Sequence, residues 1–111
     1  MMSELREKLA KWAGFKYGFR YGWDSPDGSW CRVLPYFDES LDACFKWLVP
    51  KLTGFLYQYT ITINNIRDGW ACQLYGHTDN PYIPKRIDET GETPALALCK
   101  AIEKLIDEGG Q

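Results

Sequence analysis

The sequence predicts an α+β domain, with three helices and a largely antiparallel sheet of four to five strands in the order α-ββ-α-ββ(β)-α. Three observations carry this reading. Apolar residues recur at helical spacing near both ends of the chain and again near its middle. Between these stretches the period switches to two, the spacing of strands. The strand candidates are joined by short Asp-, Asn-, Gly- and Pro-containing turns, which suit hairpins and are too short for a parallel crossover. A length of 111 residues fits a single domain, 1–111.

Taking the elements in order, Ser3 to Ala13 reads as a helix. Leu5, Leu9 and Trp12 share one face and Glu4, Arg6, Glu7, Lys8 and Lys11 fill the other; Ser3 is placed to cap the start and Gly14 to end it. Phe15, Tyr17, Phe19, Tyr21 and Trp23 then alternate with Lys16, Gly18, Arg20 and Gly22 and predict a strand over Phe15–Trp23. Asp24-Ser25-Pro26-Asp27-Gly28 makes a turn, and Ser29 to Leu34 is expected to return as the second arm, closed by Pro35. Asp38 or Ser40 opens a second helix with the stripe Leu41, Cys44, Phe45 and Leu48. Pro50 should end or kink it, since it lacks an amide hydrogen.

Leu56 to Asn64 is the cleanest strand. Tyr57, Tyr59, Ile61 and Ile63 point one way and Gln58, Thr60, Thr62 and Asn64 the other, so one face is expected buried and one wetter. The chain turns at Asn65–Gly69 and returns over Trp70 to Tyr75 with Trp70, Cys72 and Leu74 on one face. Tyr82 to Ile87 reads as a short edge strand, because Pro84 cannot donate to a central ladder, and Asp88 to Glu92 as a solvated acidic linker. Thr93 caps a last helix with Pro94 at its first position; Ala95, Leu98, Cys99, Ile102, Leu105 and Ile106 give it an unbroken apolar stripe. Three helices on such a sheet make either two layers or an α/β/α sandwich.

Several short stretches resemble one family. Pro26-Asp27-Gly28-Ser29-Trp30, Leu34-Pro35-Tyr36-Phe37 and Ser40-Leu41-Asp42-Ala43 are similar to the front half of the phage ABA sandwich domains, and Thr93-Pro94-Ala95-Leu96-Ala97-Leu98-Cys99-Lys100-Ala101-Ile102 to their ending. The resemblance implies an α/β/α sandwich encoded by a phage or prophage. It implies no chemistry and supplies no functional residues, and the N-terminal aromatic strand fits it less clearly.

Composition narrows the function classes. Net charge is −2, and Lys+Arg against Asp+Glu runs 8 to 7 over residues 1–55 and 5 to 8 over 56–111, so neither half carries the basic excess of a strong phosphate-binding surface. The order from the second helix onward also resembles that of a double-stranded RNA-binding domain, but Glu92-Thr93-Pro94 stands where such a domain needs basic residues. No apolar run reaches the ~18 residues of a membrane-spanning helix. The charged start Met1-Met2-Ser3-Glu4-Leu5-Arg6 lacks a signal-peptide core, so a cytoplasmic protein is expected, in the host cytoplasm if phage-encoded. Cys31, Cys44, Cys72 and Cys99 sit among apolar neighbours without metal-ligand spacing and are expected as buried free thiols.

Candidate chemistry is sparse. His77 and Asp79 share a loop and could form a general-base pair or part of a metal site, but no second histidine completes one. No nucleophile elbow, phosphate-binding glycine loop or HExxH is present, so neither enzyme activity nor a cofactor is expected. The feature that stands out is 15% aromatic residues, with 5 Trp and 7 Tyr. Five Trp exceed what so small a core easily hides, which makes Trp23 and Trp30, flanking the 24–28 turn, and the off-stripe Trp47 the candidates for an exposed patch, with Tyr21 and Arg20 beside them. A protein partner or a second copy of the chain is the expected occupant. The alternative is single-stranded nucleic acid or a nucleotide, stacked on the Phe15–Trp23 aromatics with Lys16 and Arg20 meeting phosphates.

Overall fold

The fold is known from a computed structural model, which describes residues 2–18, 21–54, 57–77 and 84–108. Met2–Ala13 forms helix α1, with Leu5, Leu9, Ala10 and Ala13 buried and Trp12 half-buried along one face. The helix begins at Met2, so Ser3 lies inside the first turn and is not its cap. Its end is as expected. Gly14 takes φ +106, and Phe15 N–H donates to Ala10 O at 2.9 Å while Gly14 N–H donates to Lys11 O at 3.2 Å, the pair of bonds that closes a helix on a left-handed residue.

The strand expected over Phe15–Trp23 is instead a hairpin. β1 (Lys16–Gly18) pairs antiparallel with β2 (Gly22–Asp24), Tyr17 facing Trp23 and Gly18 facing Gly22, and Tyr21 in the turn adopts φ 60. Arg20 and Phe19 lie outside the described residues. Glycines at 18 and 22 remove the side chains from the last pair of the ladder, and the chain reverses there. β3 (Trp30–Cys31) pairs with the other side of β2. It is shorter than the expected Ser29–Leu34 arm, because the chain then leaves the sheet and carries Leu34 and Phe37 into the core.

Ser40 caps α2 (Leu41–Ala43), its hydroxyl accepting from Ala43 N–H at 3.2 Å. The helix continues as a π-helical turn over Cys44–Leu48, closed by a bond from Val49 N–H to Cys44 O, and as a 3-10 helix over Val49–Gly54. Pro50 has no N–H to give and crowds the carbonyl four residues back, so the turn ahead of it widens. Widening rotates the side chains. Cys44 and Leu48 stay buried, Phe45 swings outward to 48% exposure against the expected stripe, and Trp47 turns in against the core.

β4 (Tyr57–Ile66), β5 (Gly69–His77) and β6 (Pro84–Gly91) form a second antiparallel sheet in the order β4-β5-β6. Ile61, Leu74 and Ile87 lie in one row across its inner face, and Ile63, Cys72 and Glu89 in the next. Pro84 opens an edge strand, as expected. The stretch from Asp88 to Gly91, expected as a linker, continues that strand, because β5 runs on to Trp70 and offers it a ladder partner as far as Gly91. Gly91 then ends under the first turn of α3. A β-carbon there would fall 2.6 Å from Ala97 N, and one at Gly69 2.6 Å from Gly91 O.

Helix α3 (Pro94–Asp107) starts where expected, with Thr93 Oγ1 accepting from Leu96 N–H at 3.1 Å and Pro94 in the first turn. Ala95 to Cys99, Ala101, Ile102 and Leu105 are all buried, because the helix is covered on several sides. The β4–β6 sheet packs on one side of it, α1 and the π-turn on others. Lys8 of α1 ties to Glu103 and Asp107 of α3 at 3.4 and 2.5 Å.

The chain is therefore α+β and antiparallel with three helices, as the sequence predicts, but its strands divide into two three-stranded sheets. The layers run sheet, α3, then α1 with the π-turn, and among the described residues no helix covers the outer face of β4–β6. Thr60, Asn64, Tyr75, Arg86, Asp88 and Thr90 stand there exposed. This accounts for the threonine-rich face of β4.

Candidate functional site

The small β1–β3 sheet and the segment after it hold most of the large apolar side chains that are exposed among the described residues. Of the eight large hydrophobic side chains exposed among the described residues, five fall between residues 17 and 36: Tyr17, Tyr21, Trp30, Val33 and Tyr36. The period of two explains how they divide. Tyr17, Trp23 and Cys31 occupy one face of the sheet; Lys16, Asp24 and Trp30 occupy the other.

On the first face lies a groove of about 370 Å³. Its floor is Trp23, 8% exposed, with Tyr17 standing edge-on at 5.3 Å between ring centroids and itself 60% exposed. Val33 and Leu34 form an aliphatic wall, and Arg6, Glu7 and Arg32 supply the polar rim. Arg6 is held in place. Its guanidinium forks onto the buried Asp38 carboxylate, donates from Nη2 to Glu39 Oε2 at 2.6 Å and lies 4.2 Å from the centroid of Tyr36. The Asp38 hydrogen bond raises the Arg6 pKa further above its ordinary value. The result is an apolar slot with a fixed cation at one end.

On the opposite face Trp30, 44% exposed, lies flat over Gly22. The 25–29 turn below it is tied by its own side chains. Asp27 accepts from Ser29 N–H at 3.0 Å and from the hydroxyls of Ser29 and Ser25, and Ser25 N–H donates to Ser29 O at 2.8 Å. These donors, with Ser25 first, lower the Asp27 carboxyl to about 2.

The expected binding residues do not form one patch. Trp23 is buried beneath Tyr17. Trp47 is half-buried against the core, edge-on to Phe15 at 5.0 Å, with Lys46 Nζ 4.8 Å from its ring. Trp30 and Tyr21 are exposed, Tyr21 at 83%, and Arg20 lies outside the described residues. The row of rings expected as a stacking platform is broken too, since Phe15 and Trp23 are buried and Lys16 points away from Tyr17. Sequence reasoning missed Tyr17, Val33 and Tyr36 as exposed residues. The signal for Tyr17 was the Gly18/Gly22 pair that turns the chain; Val33 and Tyr36 flank Leu34-Pro35 without any periodic pattern.

Cys44, Cys72 and Cys99 are buried, with Cys44 Sγ 3.0 Å from Phe37 O and 3.7 Å from Cys99 Sγ. Burial pushes the Cys72 thiol up to about 12, and the Cys44 contact followed by burial raises Cys99 as well. Cys31, expected buried, is only half-buried. His77 ends β5 with its ring 6.2 Å from Tyr75 and its Nδ1 without a hydrogen-bond partner among the described residues; Asp79 lies outside them. No helix among the described residues is long and apolar enough to cross a membrane. Compared with known protein families, curated proteins and solved structures, the chain matches none.

Proposed function

We propose that this protein is a small non-enzymatic binding module, encoded by a phage or prophage, that takes a protein partner in the groove between Tyr17, Trp23 and Val33. The observation that carries this reading is the gathering of exposed apolar side chains at residues 17–36 around a preformed slot. Aromatic rings with an arginine at the rim are the composition of protein-binding surfaces. A slot with a Trp floor, an aliphatic wall and Arg32 at its rim, where Arg6 is already neutralised by Asp38 and Glu39, suits an apolar side chain followed by an acidic one that Arg32 can meet. The phage setting rests on the resemblance of the turn, the Leu34–Phe37 segment and the last helix to phage domains.

Selection from a random peptide display library tests the reading. Enriched peptides should share an apolar residue next to Asp or Glu, and Tyr17→Ala or Val33→Ser should weaken their binding by about tenfold or more. A library that yields no enrichment, or peptides indifferent to both substitutions, would refute it.

A further inference from the structure

The two edges of the β4–β6 sheet are built differently. β6 carries Pro84 and four charges, Lys85, Arg86, Asp88 and Glu89, the devices by which proteins protect a free edge. β4 carries none. Its ten residues, Tyr57-Gln58-Tyr59-Thr60-Ile61-Thr62-Ile63-Asn64-Asn65-Ile66, include no charge and no proline, and its only irregularity is a register shift between Tyr57 and Thr60. From Thr60 to Ile66 it is regular, and β5 is its one strand neighbour among the described residues. The inner face at this edge is also incompletely covered. α3 packs mainly over β5 and β6, and Tyr59, Ile61 and Ile63 remain half-buried.

We infer that the free edge of β4 pairs with β4 of a second copy of this chain, joining two sheets into one of six strands. A second copy fits for three reasons. A two-fold axis perpendicular to the sheet opposes residues k+j and k−j, which have the same parity. The apolar inner face therefore meets apolar inner face, and both α3 helices lie on one side of the joined sheet. With the axis at Thr62, Ile61 of one copy faces Ile63 of the other, Thr62 faces Thr62, and Thr60 faces Asn64, all within the regular stretch. Because the strand is uncharged, self-pairing opposes no like charges along it, whereas self-pairing of β6 opposes several.

The test is the mass in solution of the whole chain by sedimentation equilibrium. Wild type should be a dimer that persists at high salt. Thr62→Lys sets two ammonium groups against each other at the axis, on the outer face where the side chain has room, and should weaken association by about tenfold or more. Thr90→Lys, the same change on the β6 strand, should leave the dimer intact. A monomeric wild type overturns the inference, as does a dimer that survives Thr62→Lys or that dissolves on Tyr17→Ala. Hydrogen exchange on wild type provides a second measurement should Thr62→Lys fail to fold. Protection of the β4 amides should rise with protein concentration, and its failure to rise counts against the interface.

Discussion

The indole of Trp30 occupies the space where a side chain at residue 22 would stand: a β-carbon on Gly22 would fall 2.5 Å from Trp30 Cζ2 and 2.7 Å from Trp30 Nε1. The glycine lets the ring lie down on β2, and the ring in turn covers the bare backbone of the strand.

Gly22→Ala should therefore lift the ring. We expect a loss of about 1–3 kcal/mol in urea unfolding and a red-shifted Trp emission as Trp30 enters solvent. The double variant Gly22→Ala/Trp30→Ala should recover part of the loss. Equal losses in the single and double variants would show that the ring is not the obstacle.

Arg6 and Asp38 form a partly buried ion pair, with Asp38 only 6% exposed and Arg6 21%. Removing the cation leaves the carboxylate with little access to water. Arg6→Met should cost about 3 kcal/mol, and Arg6→Met/Asp38→Asn considerably less. Urea midpoints of the two variants measure the difference.

The thiols should react in order. At pH 8 iodoacetamide should modify Cys31 first, and Cys44, Cys72 and Cys99 only as the protein unfolds, read by mass spectrometry after timed quenching. Cys72 also couples stability to alkaline pH. Its folded pKa of about 12 lies above the ordinary 9.0, so its contribution is complete below pH 9 and is lost as pH rises toward 12. Cys72→Ala should be less stable at pH 7 and should lose less on going to pH 11.

Asp27 works at the other end of the scale. Its folded value of about 2 lies below the ordinary 3.8, so its contribution is present above pH 4 and disappears as pH falls toward 2. Melting temperatures of wild type and Asp27→Asn should differ at pH 6 and converge near pH 2.

Much of the architecture was legible in the residues. Thr93-Pro94 and the stripe behind it set α3 to within a residue, and alternation along β4 set which side faces the core. Two of the failures share one cause, a pattern that runs through a point where the backbone changes phase. Five aromatics at alternate positions looked like a single strand, yet Gly18 and Gly22 reverse the chain in their midst, so Tyr17 pairs across the ladder with Trp23 on the same face and stands exposed over the buried ring. The stripe through Phe45 assumed 3.6 residues per turn, and the π-turn ahead of Pro50 exchanged the roles of Phe45 and Trp47. Acidic residues at 88–92 looked like a linker, because composition does not reveal that β5 has a ladder edge waiting for them. The groove depends on where Val33 and Leu34 land after β3 ends, a tertiary outcome with no local periodicity.

The corner where β6 passes beneath α3 has a different consequence. Gly69, Gly91 and Ala97 are stacked backbone on backbone, so a methyl group at either glycine meets main chain, which has no rotamer by which to step aside. Size at these two positions acts as a veto and not as a graded cost. On the outer face of β6 the opposite holds, and the exposed side chains of Arg86, Asp88 and Thr90 have room to change. A chain of this fold can thus drift widely over one surface while two hydrogen atoms, at residues 69 and 91, stay irreplaceable.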